Sequence, residues 1–285
     1  MTDFHGLPTL TLKNDFLRVD VLKEAGPRIV RLMPAGTDLN LLADLNGIAW
    51  DVPTGQFVPF GGHRLWRAPE VAEITYLPDH TSCSAEPIEN GLRLSHEDHT
   101  QVEYRRVIEV RLDPSAPKLT LTHRIENLGK GDFVAAAWAI TQCRMGGRAW
   151  LPMTAEKISG SDFTPNRSLV LWPYTDLKDN RLKVCNEGVE VMARSKAEAL
   201  KVGLYSNRGW AAVEFAEGWT LIKRFGVGEA SAYTDLSANL QCYVRDMFIE
   251  LETLGELKTL HPGEAAVNVE EWEVLKGTLD SLDLM

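Results

Sequence analysis

Apolar side chains recur at every second position along much of this chain, and that period admits little except strands buried on one face. Leu119, Leu121, His123 and Ile125 share a face in one such run, and Ile108, Val110 and Leu112 share one in the run before it. Ala211, Val213 and Phe215 alternate ahead of a turn at Gly218, and Trp219, Leu221, Lys223 and Phe225 alternate beyond it. Turn signals punctuate the runs at Asn90-Gly91, Asp113-Pro114, Asn127-Leu128-Gly129, Gly146-Gly147, Asn207-Arg208-Gly209 and Pro262-Gly263. Such runs joined by short turns read as hairpins of antiparallel sheet. Helical pattern is confined to Ser195 to Leu200, enough for one or two turns, and to a frayed tail from Thr278 to Met285. No Pro-, Ser- or Gly-rich linker and no fixed repeat divides the chain. The pattern predicts an all-β protein built as one large antiparallel domain, a sandwich or closed barrel, over residues 1–285, with a loose tail over about 276–285.

Charge and cysteine usage narrow the function classes. Lys and Arg number 30 against 40 Asp and Glu, a net charge of −10, and no basic block stands out. Such a chain repels a phosphate backbone, so no nucleic-acid partner is expected. No apolar run approaches the roughly 18 residues of a membrane-spanning helix. Met1-Thr2-Asp3-Phe4-His5 shows neither the basic start nor the apolar stretch of a signal peptide. Cys83, Cys143, Cys185 and Cys242 are scattered, with no CxxC and no short Cys–His spacing. Disulfides and structural zinc are therefore not expected, and the expectation is a soluble, cytoplasmic chain without a membrane partner. GxSxG, GxGxxG, P-loop and HExxH motifs are absent.

The most unusual stretch is Pro59-Phe60-Gly61-Gly62-His63-Arg64-Leu65-Trp66-Arg67-Ala68-Pro69-Glu70. A Gly pair tolerates positive φ and lets backbone approach a ligand closely. The imidazole, guanidinium and indole that follow suit a polar, ring-shaped ligand: Arg64 forks onto vicinal hydroxyls or a carboxylate, and Trp66 offers an apolar face to a sugar's C–H surface. The same residues also suit a β-bulge with a satisfied His and a packed Trp. In Asp246 to Leu254, a strand places Phe248, Glu250 and Glu252 on one face, with the two carboxylates about 7 Å apart. Burial of one of them would raise its pKa toward a general-base value, whereas exposure would leave two ordinary surface charges. His123 sits on an apolar face, where a hydrogen-bonded core role competes with a ligand-binding one. Lys223, in phase with Trp219, Leu221 and Phe225, must be paired, neutralised or snorkelled outward. Tyr233-Thr234-Asp235, with Asn239 nearby, reads as a turn with polar tips that binds only if it lies beside the glutamates. His96-Glu97-Asp98-His99 has metal-ligand residue types, but adjacent spacing rarely closes a coordination sphere, and no metal is expected there.

Taken in order, these residues resemble the galactose mutarotase-like superfamily, the aldose 1-epimerases and their carbohydrate-binding relatives. Gly26-Pro27-Arg28-Ile29-Val30-Arg31-Leu32 resembles that family's first Gly-x-Arg-Ile strand, and Gly61-Gly62-His63-Arg64-Leu65-Trp66 stands where related hexose-phosphate epimerases carry a Gly-Gly loop. Leu119 to Gly129 resembles the strand ending in an Asn-x-Gly turn. Leu251-Glu252-Thr253 resembles the Leu-Glu-Thr that carries the family's general-base glutamate. The resemblance runs over roughly residues 9–275 and implies a β-supersandwich: two large antiparallel sheets with a sugar groove on a concave face. Where mutarotases carry an acid His after the Asn-x-Gly turn, this chain reads Ala135-Ala136-Ala137-Trp138-Ala139-Ile140-Thr141.

The resemblance implies a carbohydrate-binding chain acting as an aldose 1-epimerase-like enzyme. Glu252 would take the anomeric proton and His63 would protonate the ring oxygen, with no cofactor or metal. Arg64, Trp66, Arg28, Glu250, Asp235, Lys223 and His123 would bind a small sugar or sugar derivative. A non-catalytic carbohydrate-binding domain is the alternative. The third reading is a lyase or isomerase on an acidic sugar, with Lys223 or His123 as base. A monomer or homodimer is expected, because strand edges are left open.

Overall fold

A computed structural model describes residues 2–80, 83–99, 102–154 and 165–282. Among these residues the alternating runs become strands of two large sheets, one of 11 strands and one of 10, in which every paired neighbour is antiparallel. The fold class expected from the period is thus the one observed. Lys118–Asn127 shows the cause most plainly, since its residues alternate without a break between half-buried and buried.

The first sheet runs Thr2–Phe4, Leu7–Lys13, Leu17–Leu22, Arg28–Pro34, Gly62–Ala68, Phe133–Cys143, Ile249–Leu254, Leu240–Val244, Leu200–Leu204 and Val170–Leu171, with Lys258–Leu260 paired to one end of Phe133–Cys143. The second runs Leu182–Val184, Gly188–Met192, Arg148–Pro152, Trp210–Phe215, Trp219–Phe225, Ala265–Lys276, Lys118–Asn127, Glu103–Leu112, Gly91–His99 and Ser84–Ile88. Between them lies the main core, drawn from both sheets: Ile29, Leu65, Cys143 and Leu251 from the first meet Ile108, Leu121, Leu221 and Trp272 from the second. The outer face of the second sheet is solvated. It carries cross-strand Arg–Glu pairs such as Arg105 with Glu97 and Glu126, and Arg224 with Glu273.

Two local expectations need correction. Ser195 to Leu200 forms no helix: the segment is an open bend that becomes strand at Leu200. Its side chains and backbone are spent on Asp179 and Arg181, with Lys196 paired to Asp179 and the Glu198 carbonyl accepting from Arg181. The tail is not loose as far as it is described. Asp280 pairs with Arg148, the Leu279 amide donates to Glu214, and a short 3₁₀ turn spans Leu279–Ser281; residues 283–285 lie outside the described ones. His96-Glu97-Asp98-His99 lies within the strand Gly91–His99, where Asp98 is taken by Arg106. The four cysteines are free thiols, and no helix of the described residues is long and apolar enough to cross a membrane.

Candidate functional site

Five adjacent strands of the first sheet form the floor of a cavity of about 550 Å³. That volume is within the range of small-ligand sites. Register sets what faces it. Across the sheet Arg64 lies opposite Ile140, Ile140 opposite Glu252, Glu252 opposite Gln241, and Gln241 opposite Gly203. One step along, Gln142, Glu250, Tyr243 and Lys201 form a parallel row, and on the other side Trp66 faces Trp138. Period-two alternation therefore delivers Arg64, Trp66, Trp138, Gln142, Glu250 and Glu252 to one face of neighbouring strands. Trp50, Tyr76, Trp172, Tyr174 and Phe248 add aromatic walls from outside these five strands.

Charges in the cavity are paired. The Glu250 Oε1 atom accepts from Arg64 Nη2 at 3.0 Å and from Gln142 Nε2 at 2.9 Å, and the Arg64 guanidinium lies 4.2 Å from the Trp66 ring. The Lys201 ammonium stands between the Trp138 and Trp172 rings, 4.8 and 4.7 Å from their centroids. It donates to Glu252 Oε2 at 2.9 Å, and the Trp138 indole N–H donates to the same oxygen at 2.8 Å. Glu252 is fully buried behind the cavity wall, beneath Lys201 and Trp138. Burial pushes its carboxyl up to about 7, against the opposing pull of Lys201. Arg245, at the rim, pairs with Asp246, and the Tyr76 hydroxyl donates to Glu70.

Several buried polar atoms here have no partner among the described residues: Arg64 Nε and Nη1, Trp66 Nε1, Gln142 Oε1 and Glu252 Oε1. Three are donors and two are acceptors. Buried polar atoms are nearly always satisfied, so this group beside one cavity has hydrogen-bonding capacity that the described residues leave unused.

The structure divides the sequence-derived candidates. Arg64, Trp66 and Glu250 line the cavity; Glu252 does not line it, but is fully buried against two residues that do, Lys201 and Trp138. His63 does not reach it: one residue from Arg64, it points to the opposite face of the strand, between the sheets, with Nε2 2.7 Å from His123 Nε2 and Nδ1 3.0 Å from Thr141 Oγ1. Burial, and then the neighbouring His123 and Lys223, depress its pKa well below the usual histidine range. Lys223 and His123 lie in the same inter-sheet space, fully buried. Arg28 is closed off elsewhere, donating to the Pro59 carbonyl and paired with Asp79. Asp235 accepts from Gln241 Nε2 and lines no part of the cavity. The Gly pair serves backbone packing, since a Cβ on Gly61 would lie 2.1 Å from the Ala43 carbonyl oxygen and one on Gly62 2.0 Å from that of Ile29.

His63, His123 and Glu270 bring donor atoms within 4.8 Å of one another, as a metal site would. They do not suit one. The two imidazoles are spent on each other, and the Lys223 ammonium, 2.8 Å from Glu270 Oε1, already supplies the cation. Lys201, Trp138, Gln142, Trp172 and Tyr243 were not anticipated. Trp138 was visible as the one large ring in an alanine run, and Lys201 as a charge inside the apolar Leu200–Leu204.

No protein-family profile and no curated protein sequence matches the chain. Solved structures do. A candidate aldose 1-epimerase from Escherichia coli K12 superposes with a TM-score of 0.57 at 16% identity, over 95% of this chain and 100% of that one. A galactose mutarotase-like protein from Lactobacillus casei gives 0.58 at 10% identity, over 94% and 100%. A galactose mutarotase related enzyme from Lactobacillus acidophilus gives 0.56 at 12%, over 95% and 99%. The chain is similar to these proteins along nearly its whole length, and its fold is the galactose mutarotase-like β-supersandwich.

Proposed function

We propose that the cavity binds a sugar ring and interconverts its anomers, as aldose 1-epimerases do. The observation that carries this reading is the set of unpartnered donors and acceptors on Arg64, Trp66, Gln142 and Glu252 in an aromatic-walled cavity. Hydroxyls both donate and accept, so a polyol satisfies both kinds of atom. Indole faces meet its C–H surface.

In this reading Glu252 takes the proton of the anomeric hydroxyl. A carboxyl near 7 is suited to a base that must accept and return a proton at neutral pH. Lys201 replaces His63 as the acid, giving a proton from Nζ to the ring oxygen as the C1–O5 bond breaks and the aldehyde forms. Rotation about C1–C2 followed by attack of O5 on the other face of C1 closes the ring. Glu252 then returns its proton to O1, and the O5 proton goes back to Lys201. O1 and O5 share one carbon, so an adjacent acid–base pair serves both. Placement of Lys223 and His123 between the sheets argues against their use as base on an acidic sugar.

A non-catalytic sugar-binding domain is the second reading, favoured by the full burial of the Glu252 carboxyl beneath Lys201. Anomer exchange by NMR over a panel of aldoses, uronic acids and sugar phosphates separates the two. Acceleration that disappears in Glu252→Gln supports the enzyme. Line broadening of one sugar, with exchange no faster than in buffer, supports the binding domain.

A further inference from the structure

Behind the cavity floor, between the sheets, lies a second polar cluster that the proposed chemistry does not use. His63, Thr141 and Thr253 each stand one residue from a site residue (Arg64, Gln142 and Glu252) but face the other way, into the inter-sheet space. His123, Lys223, Asn268, Glu270 and Trp272 meet them from the second sheet, and all eight are buried.

Polar contacts run through this cluster from one sheet to the other. Lys223 Nζ has three acceptors, one for each proton: Thr141 Oγ1 at 2.9 Å, the Leu251 carbonyl at 3.2 Å and Glu270 Oε1 at 2.8 Å. Glu270 also accepts from the Thr253 hydroxyl and, at 2.7 Å, from the Trp272 indole N–H. Asn268 Nδ2 donates to Thr253 Oγ1 at 2.9 Å.

These partners dictate the order of the protons. His123 Nδ1 lies 3.0 Å from the Asn268 carbonyl, which can only accept, so Nδ1 carries a proton and, in a neutral ring, Nε2 is bare. His63 Nε2 must then donate across the 2.7 Å contact, leaving His63 Nδ1 as an acceptor. The Thr141 hydroxyl supplies that proton, because its oxygen already accepts from Lys223. The order starts at the Asn268 carbonyl, and the ammonium adds the orientation of the Thr141 hydroxyl, which without it is free to turn. The other His63 tautomer would set two bare nitrogens face to face across the sheets, so this contact itself holds the proton on His63 Nε2.

We propose that Lys223 and Glu270 are positioning residues: their ion pair ties Thr141, the Leu251 carbonyl and Thr253 to the second sheet, beside the His63–His123 contact, and so fixes the three strands that present Arg64, Gln142, Glu250 and Glu252 to the cavity. The catalytic consequence rests on the proposed anomer exchange, whereas the positioning does not. Trp138 allows the two to be read apart, because its indole N–H is bonded to Glu252 and reports the position and protonation of that carboxyl.

The test uses the full chain labelled with ¹⁵N, as wild type, Lys223→Met/Glu270→Gln and the milder Thr141→Val. Long-range proton–nitrogen spectra of the wild type are expected to show His63 protonated at Nε2 and His123 at Nδ1. In both variants the tie through Thr141 is cut, so the Trp138 indole resonance should shift and titrate away from the wild-type midpoint, while His63 stays protonated at Nε2. If the wild type exchanges anomers, kcat should fall on the order of tenfold or more with KM little changed. A merely structural role would lower Tm and leave the Trp138 titration where it was. That result in either folded variant, or the opposite tautomers in the wild type, overturns the inference. Should the double variant fail to fold, Thr141→Val decides on the same resonances. A Trp138 shift in a protein that exchanges no anomers keeps the positioning role and removes the proposed reaction.

Discussion

Arg64 and His63 are consecutive residues that serve opposite faces of one strand: the guanidinium opens on the cavity, and the imidazole lies 2.7 Å from His123 between the sheets. The same division holds for Gln142 and Thr141 and for Glu252 and Thr253. On the inner face the polar atoms are saturated by one another. On the cavity face Arg64, Trp66, Gln142 and Glu252 each keep an atom without a partner. A rigid, satisfied interior thus backs a surface whose hydrogen-bonding capacity is left for a ligand.

Replacing Glu252 with Gln is expected to abolish anomer exchange while helping the fold at alkaline pH. Burial raises this carboxyl from its ordinary 4.5 to about 7, so the folded chain holds a proton that the unfolded chain has released. Over that window stability falls as pH rises. Gln removes the penalty. Urea unfolding should show the variant close to wild type near pH 5 and more stable near pH 8. NMR exchange rates should drop by about 10²- to 10⁴-fold.

Arg64→Lys tests the free donors. Lys can keep a charge contact to Glu250 but not the fork, the stacking on Trp66 or the unpartnered Nε and Nη1. Affinity for whichever sugar the NMR panel identifies should weaken roughly tenfold to a hundredfold. Calorimetric titration measures it, and unchanged affinity would remove Arg64 from the recognition site.

The strands, and hairpins such as Glu103–Leu112 with Lys118–Asn127 and Trp210–Phe215 with Trp219–Phe225, were legible in the sequence because period two and turn signals are local properties. Glu250 and Glu252 had to share a face once their segment was a strand. Which face opens on a cavity and which on the partner sheet is not local. Lys223 and Lys201 give the same signal, a charge in an apolar strand, yet one is tied to Glu270 in the core and the other to Glu252 at the site. His63 was drawn toward the site by its neighbours Gly62 and Arg64, although alternation alone sends it the other way from Arg64. Trp138 and Gln142 escaped notice because their role comes from register with Glu252 and Glu250, partners more than 100 residues away in sequence.

Gly62→Ala should damage the fold and not the ligand site. The residue has φ +73°, and a Cβ would meet the Ile29 carbonyl oxygen at 2.0 Å, so backbone must move in the adjoining strand. A loss of about 3 kcal/mol or more is expected, with Tm falling on the order of 10 °C. Differential scanning calorimetry reads it, and a Tm within a degree of wild type would contradict the packing role.

Asp79 sets an acid limit on stability. Burial works to raise its pKa, but Arg28 at 3.2 Å and Arg106 at 3.0 Å outweigh that and hold it below the ordinary 3.8. The stabilisation is therefore full above about 4 and is lost as pH falls through the depressed value. Asp79→Asn should cost about 3 kcal/mol at pH 7, since it leaves Arg28 buried without its carboxylate. Denaturant titrations of both proteins should converge as pH drops toward 2.

Lys201 is expected to act both as the acid and as the charge that holds Glu252 in range, and two substitutions separate these roles. Lys201→Met keeps the stem between Trp138 and Trp172 but deletes the ammonium. Among the influences on Glu252, burial raises the pKa and Lys201 is the strongest opposing one, so the midpoint of the pH–rate profile should move above 7. Exchange at neutral pH should fall about a hundredfold. Lys201→Arg keeps the positive charge, so the midpoint should stay near 7. A guanidinium does not give up its proton under these conditions, so exchange should remain slow. Full exchange in Lys201→Arg would leave the electrostatic role standing and assign the proton at O5 to another group.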